Sequence, residues 1–326
     1  MHTRNIGSLT VSAIGLGCMN MSSGYGPADD KVSTELLNQA LDIGYTFLDT
    51  ALMYGDGHNE SLIGKSLAQR RNQYTLATKC GLSPAGIDGR PELITQQCND
   101  SLKRLGTDVI DLYYLHRVDP NVPIEESVGA MARLLEQGKI REIGLSEVCT
   151  ETLRRAHSEH TIAALQSEYS LWSRTPERGV LSACRELKIA FVPFSPLARA
   201  FLTGRASDVD HLPDSDLRCT IARPRFEPDA FAHNSKLLVP YEKIAARNNC
   251  SMAQLALAWL LSIEDQTLIP IPGTKHIEFM IENAGAGDIQ LDDDTVKELD
   301  ELINETTVTG TRYSAARMAD ADSERD

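Results

Sequence analysis

Residues 45–54 read YTFLDTALMY, a short run of aliphatic and aromatic residues that ends in Asp49 and is followed by Tyr54. Short apolar runs closed by one polar residue recur along the chain, and the segments between them have the pattern of helices. Repeated strand and helix units of this kind are typical of a parallel sheet. The eight predicted strands lie near residues 13–17, 45–49, 75–79, 109–115, 140–145, 162–166, 189–193 and 267–271.

Eight such units favour a single (β/α)8 TIM barrel, an α/β fold that covers the whole of residues 1–326. A doubly wound open sheet is the main alternative. Residues 1–12 are too short and polar for a barrel unit and are expected to form a hairpin over one end. Residues 199–235 are predicted to form a long loop at the C-terminal face, and residues 319–326 a frayed tail.

Composition excludes several classes of function. The 32 Lys and Arg residues against 46 Asp and Glu residues give a formal charge of −14, which argues against nucleic acid as a partner. We expect no membrane partner, because no apolar run reaches the length of a bilayer span. The N-terminus lacks the apolar core of a signal peptide, so the chain is expected to be cytoplasmic.

The metal-binding residue types occur without the spacing of a metal site. The seven cysteines are scattered and include no Cys-x-x-Cys pair, which is typical of reduced thiols rather than of a disulfide framework or a zinc site. His157 and His160 have helical spacing and could suggest a metal pair, but two histidines without an established carboxylate or cysteine ligand are interpreted as an exposed helix face. We therefore expect no metal.

Polar residues end the predicted strands. Asp49, Lys79 and His116 close the second, third and fourth strands, and Ser146 and Gln166 close the fifth and sixth. In a barrel of this class the active site lies at the C-terminal ends of the strands. These side chains are therefore expected to converge on one rim.

Tyr54, in the loop after the second strand, completes a set that suits carbonyl chemistry. A tyrosine is a poor acid at pH 7, and a neighbouring ammonium such as Lys79 lowers the pKa of the phenol. Asp49 would hold Lys79 charged, and His116 could hydrogen-bond the same substrate oxygen as Tyr54. The set could give a carbonyl an acid on one side and leave room for a hydride donor on the other.

An ordered series of motifs resembles the aldo-keto reductase superfamily, and most of all its microbial and plant branch that carries QSEYSLWSR. The motifs are IGLGCM at 14–19, FLDTALMYGDGHNE at 47–60, LATKCG at 76–81, DLYYLHR at 111–117, KIREIGLS at 139–146, LQSEYSLWSR at 165–174, PFSPLARAFLTG at 193–204 and IPIPGTKHIEFMIEN at 269–283.

The resemblance implies a barrel that binds a nicotinamide dinucleotide without a Rossmann domain. In agreement, GLGCMN and GDGHNE begin like the dinucleotide fingerprint G-x-G-x-x-G but end in Asn20 and Glu60. By that likeness Tyr54 is the proton donor to the carbonyl, Lys79 lowers the pKa of Tyr54, and Asp49 pairs with Lys79. His116 orients the substrate.

The resemblance also assigns the cofactor contacts. Ser146 and Gln166 would hold the carboxamide, Phe194 would stack on the nicotinamide, and a cation near the 2′-phosphate would favour NADPH (NADP+) over NADH. The full set is Gly17, Met19, Ser146, Gln166, Phe194, Ser195, Pro196, Leu197 and Arg199 around the nicotinamide and pyrophosphate, and Gly273, Thr274, Lys275, Glu282 and Asn283 around the adenosine.

Three positions depart from the pattern that is common in relatives. Glu147 stands where Asn is common in the carboxamide pair, Ala200 where Gly is common, and His276 where Arg is common. The contact that residue 147 makes to the cofactor is therefore left open.

The predicted activity is the reduction of aldehydes or ketones to alcohols, or the reverse oxidation, with a small-molecule carbonyl compound as the substrate. Tyr25, Met53 and Trp172 are expected to contact the substrate, together with Met19 and Tyr54, and the segment around Arg312 and Tyr313 is a candidate lid. Two alternatives remain: a lyase that uses Lys79 as a Schiff-base nucleophile, and a cofactor-binding regulatory subunit with little turnover.

Overall fold

Strands and helices alternate along the chain. The structure is a computed structural model that describes residues 1–206, 209, 211–263, 267–319 and 321–326. In chain order the strands are β1 (Thr3–Ile6), β2 (Leu9–Ser12), β3 (Leu16–Gly17), β4 (Phe47–Asp49), β5 (Thr75–Cys80), β6 (Leu82–Ser83), β7 (Gly86–Ile87), β8 (Ile110–Leu115), β9 (Ile140–Ser146), β10 (Ala164–Glu168) and β11 (Ala190–Phe194).

Seven of these strands form one parallel sheet in the order β3, β4, β5, β8, β9, β10, β11. The predicted eighth strand at 267–271 lies between the two edges, where Leu268 forms a parallel bridge to β11 and Gly273 one to β3. Pro270 and Pro272 have no amide hydrogen to donate, so regular pairing is interrupted there. Their carbonyls accept hydrogen bonds of 3.0 and 3.2 Å from amides in and beside β3, which closes the ring. The prediction of a (β/α)8 barrel is confirmed.

Helices surround the sheet. They are α1 (Asp30–Asp42), α2 (His58–Ser66), α3 (Pro91–Leu105), α4 (Ile124–Glu136), α5 (Thr150–Glu159), α6 (Val180–Leu187), α7 (Pro228–Ser235), α8 (Leu238–Arg247), α9 (Met252–Leu261), α10 (Ile277–Ala284), α11 (Asp293–Leu302) and α12 (Ala315–Ala319). Their ends follow local chemistry: α3 begins at a proline and ends before Gly106 in the left-handed conformation, and Ser251 and Gln254 form a capping box at α9. Within the described ranges, none of the helices is long and apolar enough to cross a bilayer.

The interior of the barrel is apolar and is covered at its N-terminal end. Phe47, Leu112 and Tyr114 from the strands belong to one buried cluster with Ile6 and Val11 from the hairpin of β1 and β2. The hairpin therefore covers the end of the barrel opposite to the polar strand ends, and leaves the C-terminal face for the site.

Two segments beyond the repeat differ from their predictions. The predicted long loop at 199–235 contains α7, and its residues 207, 208 and 210 lie outside the described residues, as does residue 320 of the predicted tail. The prediction that 319–326 frays is wrong for its described end. Asp322 and Asp326 accept hydrogen bonds of 2.9 and 3.0 Å from backbone amides at the N-terminus of α5, where a negative charge is stabilised.

Candidate active site

A cavity of about 450 Å³ opens where the barrel strands end. Asp49 and Ser146 line it from the last residues of β4 and β9, His116 from just after β8, Gln166 from within β10, and Tyr54 from the loop after β4. The convergence predicted from the strand ends is therefore present in the structure. Lys79 lies directly behind this lining and is fully buried.

The Lys79 ammonium donates three hydrogen bonds. They reach Asp49 Oδ1 at 2.5 Å, the Thr50 carbonyl oxygen at 2.8 Å and Tyr54 Oη at 3.3 Å. Burial alone would lower the pKa of Lys79, but the Asp49 carboxylate and the Tyr54 hydroxyl together raise it. Lys79 is therefore a charged, fully partnered ammonium at neutral pH.

The second oxygen of Asp49 is also occupied. Asp49 Oδ2 accepts a hydrogen bond of 2.8 Å from Gln166 Nε2. Because both oxygens are bound, the carboxylate is fixed in direction and in turn fixes the ammonium beneath Tyr54. Gln166 thus links the ion pair to the cavity wall that β10 provides.

The loop after β4 is built to place Tyr54 over this ion pair. Its Tyr54 carbonyl accepts a hydrogen bond of 3.2 Å from the Asn59 amide, and the Asn59 side chain is fully buried. Asn59 bonds the Thr50 hydroxyl at 2.6 Å and the Cys18 carbonyl at 2.9 Å, which ties the loop to β4 and to the segment after β3. Gly57, at φ +84°, allows the chain to turn into α2.

Tyr54 keeps its proton at neutral pH. Burial raises the pKa of the phenol, although the Lys79 ammonium acts in the opposite direction and lowers it. A protonated phenol hydrogen-bonded to a buried ammonium can release its proton when an acceptor oxygen gains negative charge, since the ammonium then stabilises the phenolate.

His116 is neutral. Burial, reinforced by the positive charges of Arg117 and Lys79, holds the pKa of the imidazole well below its usual range. The ring stands edge-on to Tyr54 with centroids 6.0 Å apart, and its Nδ1 is buried without a partner among the described residues. A neutral ring next to the phenol can donate one hydrogen bond to the same ligand oxygen.

Most residues predicted to bind a cofactor line the same cavity. The segment 195–200 follows β11 and contains four non-glycine residues at positive φ, of which Ala200 is at +73°. Such backbone strain is commonly found at ligand sites. The predicted residues that line the cavity are Gly17, Met19, Tyr25, Phe194, Ser195, Pro196, Leu197, Arg199, Gly273, Thr274, Lys275 and Asn283.

Two cations of this wall are already engaged. Arg199 Nη2 pairs with Glu168 at 2.8 Å. Lys275 Nζ donates to the carbonyls of Tyr25 and Pro27 at 2.8 and 2.7 Å, which leaves one ammonium hydrogen for a ligand.

Three predicted residues lie outside the cavity lining. Glu282 pairs with Arg205, Met53 is exposed at the surface, and Trp172 is buried in a stack on Phe201 with centroids 4.2 Å apart. The predicted substrate contacts of Met53 and Trp172 are therefore not found, because one side chain faces solvent and the other is part of the apolar core.

Glu147 is turned away from the cavity. Its backbone is at φ +56°, and its carboxylate pairs with Arg312 Nη2 at 2.6 Å and accepts a hydrogen bond of 2.9 Å from the Glu168 amide. Burial alone would raise the pKa of Glu147, but the charges of Arg312 and Arg117, with the hydrogen bonds from Arg312 and the Glu168 amide, together lower the pKa to about 2. A side chain so engaged does not take the place of the common Asn.

Several lining residues were missed by the sequence analysis. Arg117 lies within the quoted motif DLYYLHR, so its position beside His116 was an available signal. Beyond Gly204, where the quoted motif ends, the segment up to residue 235 gave no signal for individual contacts, because it has no repeat and no motif to fix its path. The missed residues are Asn20, Arg117, Thr203, Arg205, Leu217, Arg218, Ile221, Ala253, Ile271, Pro272 and Phe279.

Comparisons with known proteins agree with this geometry. The sequence model of the aldo/keto reductase family matches residues 13–304. The chain is 44% identical over 322 residues to the aldo-keto reductase yakc [NADP(+)] of Schizosaccharomyces pombe, covering 95% of this chain and 94% of the relative. It is 41% identical over 311 residues to probable aldo-keto reductase 1 of Glycine max, covering 93% of this chain and 88% of that protein.

Solved structures show the same architecture. A glycerol dehydrogenase from Gluconobacter oxydans superposes with a TM-score of 0.84 at 28% identity, over 92% of this chain and 94% of the other. An aldo-keto reductase from Klebsiella pneumoniae, crystallised with NADPH, superposes with a TM-score of 0.73 at 27% identity, over 96% and 99% of the two chains. The family match and these identities together show that the chain belongs to the aldo/keto reductase family.

Proposed function

We propose that this protein is an NADPH-dependent reductase of aldehydes or ketones, of the carbonyl reductase type, in which Tyr54 is the proton donor. The observation that carries the proposal is the arrangement of the Tyr54 phenol between the charged Lys79 and the neutral His116 at the wall of the cavity. The same atoms would serve the reverse oxidation of an alcohol.

The donor set of the cavity fits a nicotinamide dinucleotide phosphate. Phe194 offers an aromatic face, Ser146 and Gln166 offer a hydroxyl and an amide, and Thr274 and Lys275 precede the N-terminus of α10. A helix N-terminus with a cation beside it attracts a phosphate. The S. pombe relative is named for NADP(+), and the K. pneumoniae relative binds NADPH, which supports the same choice here. When bound, the cofactor supplies the hydride.

The residues of the chain then perform the acid chemistry. A carbonyl oxygen placed between Tyr54 Oη and the His116 ring accepts hydrogen bonds from both. As negative charge develops on that oxygen, Tyr54 transfers its proton to it, and the Lys79 ammonium stabilises the phenolate that remains. Asp49 keeps Lys79 charged and in place.

The structure disfavours the lyase alternative. A Schiff-base nucleophile must be a neutral amine that a carbonyl carbon can reach. Lys79 is fully buried, holds a raised pKa and has all three ammonium hydrogens engaged.

The proposal is tested first by fluorescence titration with NADPH and NADH, followed by the absorbance of reduced nicotinamide with a panel of aldehydes and ketones. We expect tight NADPH binding and turnover. Binding without turnover of any carbonyl compound would instead favour a regulatory subunit, and absence of binding would contradict the proposal as a whole.

Two variants separate the roles of the residues. Tyr54→Phe is expected to abolish carbonyl reduction with NADPH affinity nearly unchanged. Lys275→Ala is expected to weaken NADPH far more than NADH, because only NADPH carries the 2′-phosphate. An equal loss of affinity for NADPH and NADH would show that Lys275 does not bind the 2′-phosphate.

A further inference from the structure

The cationic side chains of the cavity differ in how they are neutralised. Arg199 pairs with Glu168, Arg205 with Glu282 and Arg218 with Asp216, at distances of 2.8, 2.9 and 2.8 Å. Lys275 is bound to two backbone carbonyls. The lysines and arginines that line the cavity within the described ranges are Arg117, Arg199, Arg205, Arg218 and Lys275.

Arg117 is the exception in this set. Its Nη1 donates to the His116 carbonyl at 2.6 Å and to Ser146 Oγ at 3.2 Å. In the part of the chain that the structure describes, it forms no ion pair, and its Nε and Nη2 have no hydrogen-bond partner. The buried carboxylate on which its charge acts, that of Glu147, is already paired with Arg312, so this half-buried guanidinium keeps unused donors and is disposed to bind an anion.

The position of Arg117 places this charge beside the reacting centre. It follows His116 at the end of β8, and its positive charge acts to lower the pKa of His116 and also opposes the rise in the pKa of Tyr54 that burial causes. An anion bound to Arg117 would therefore lie close to the site where the carbonyl oxygen is expected.

We propose that Arg117 recognises a carboxylate of the substrate, so that the preferred substrates are oxo acids and aldehyde acids. This inference rests on the proposed reductase function. A guanidinium can bind a carboxylate through two parallel hydrogen bonds, which gives direction as well as attraction. Leu217, Ile221 and Tyr313 line the same cavity and add apolar surface to it.

Matched substrate pairs test the proposal. Each pair has the same carbonyl group with and without the charge: carboxybenzaldehydes and their methyl esters, and phenylglyoxylate and its methyl ester. The wild-type protein is expected to reduce the acids with a kcat/KM about tenfold or more above that of the esters, mainly through a lower KM, because the charge-assisted pair forms only with the acids.

The Arg117→Met variant should lose this preference. We expect the acid-to-ester ratio of kcat/KM to fall from about tenfold to about one, the size expected for the loss of one charge-assisted hydrogen-bonded pair, while the lost field on Tyr54 and His116 affects both members of each pair alike. Arg117→Lys should recover part of the loss, since it restores the charge without the planar fork. NADPH affinity, measured by fluorescence titration, should be the same in all three proteins.

Two results would overturn the proposal. One is an equal loss for acids and esters together with weaker NADPH binding, which would assign Arg117 to the cofactor through Ser146. The other is a wild-type protein that prefers the esters.

A binding measurement keeps this test separate from the proposed function. Calorimetric titration of benzoate and benzamide into the NADP+ complex requires no turnover. Benzoate binding that is lost in Arg117→Met supports carboxylate recognition even where no carbonyl compound is reduced, and equal benzoate binding by both proteins contradicts it.

Discussion

Two buried charge clusters lie at the C-terminal face of the barrel, and they have different roles. The strand-end cluster consists of Asp49, Lys79, Tyr54 and His116. The tail cluster consists of Glu147, Glu168, Arg312 and Glu324. Each is built on a short ion pair, Lys79 to Asp49 at 2.5 Å in the first and Arg312 to Glu147 at 2.6 Å in the second.

The clusters differ in what they leave open. The strand-end cluster presents the half-buried Tyr54 to the cavity and leaves His116 Nδ1 without a partner among the described residues. In the tail cluster Arg312 is almost fully buried and bonds Glu147, Ser323 and Glu324, which lie on two distant parts of the chain. A buried ion pair is therefore not in itself a sign of chemistry. Access to a cavity distinguishes the two clusters.

The largest effect is expected from Lys79→Met, which removes the ammonium from the strand-end cluster. We expect kcat for carbonyl reduction to fall by about 10³-fold, because the phenolate of Tyr54 loses its stabilising charge. The free energy of unfolding should fall by about 3 to 5 kcal/mol, because Asp49 is left buried without a counterion. Steady-state kinetics and urea unfolding measure the two quantities.

An exposed ion pair provides the control. Lys103 pairs with Asp100 at 3.0 Å on the surface of α3, and Lys103→Met should change stability by less than about 1 kcal/mol and leave kcat unaltered. A Lys79→Met protein with wild-type kcat would contradict the role given to the strand-end cluster.

Arg312→Met tests the role of the tail cluster. It leaves Glu147 and Glu168 buried without their shared cation, so we expect a loss of about 3 to 5 kcal/mol in the free energy of unfolding. We expect kcat to change by less than about tenfold, because Arg312 does not line the cavity. Urea unfolding and steady-state kinetics on the same preparations measure the change in stability and the change in kcat. If Arg312→Met lowered kcat as much as Lys79→Met without a loss of stability, the tail cluster would have a catalytic role and the distinction between the two clusters would be wrong.

Acid should weaken the tail cluster through Glu147. The pKa of this carboxyl is lowered from 4.5 to about 2 on folding, so its contribution to stability is complete above pH 4.5 and is lost as the pH falls toward 2. The loss is about 3 kcal/mol in full. Urea unfolding between pH 6 and pH 3 should show a steeper decline for the wild-type protein than for Glu147→Gln, and parallel curves would exclude this linkage.

The smallest effect concerns the backbone beside the tail cluster. Ala200 is at φ +73°, where an L side chain is strained, so Ala200→Gly is expected to raise the free energy of unfolding by about 0.5 to 1 kcal/mol. The matched control is Ala132→Gly within α4, where glycine should instead cost about 0.5 to 1 kcal/mol. Thermal unfolding of both variants tests the sign, and a destabilised Ala200→Gly would show that the left-handed turn is held without strain.

The two clusters also differ in how far they can be predicted from the sequence. The strand-end residues were found because a parallel barrel brings consecutive strand ends to one rim, so that local pattern determines their proximity. The position of the closing segment at 267–271 was also predicted, although its prolines leave only isolated bridges where a regular strand was expected.

The tail cluster could not be predicted in the same way. Arg312 reaches Glu147 across more than half of the sequence, and no periodic pattern links an irregular C-terminal segment to a strand end. The expectation of a frayed tail failed for this reason: composition indicates polarity, but it does not reveal the helix N-terminus that the acidic residues cap. Trp172 was expected to contact the substrate because it lies in a motif, but its side chain packs in the apolar core instead of lining the cavity.

The most direct test of the central claim is a single-turnover stopped-flow measurement of NADPH oxidation at saturating carbonyl substrate, with the wild-type protein, Tyr54→Phe and Arg312→Lys. We predict that the rate falls by about 10² to 10⁴-fold in Tyr54→Phe at unchanged NADPH affinity, and stays within about threefold of wild type in Arg312→Lys. A Tyr54→Phe protein that oxidises NADPH at the wild-type rate would contradict the assignment of the proton donor and, with it, the function given to the strand-end cluster.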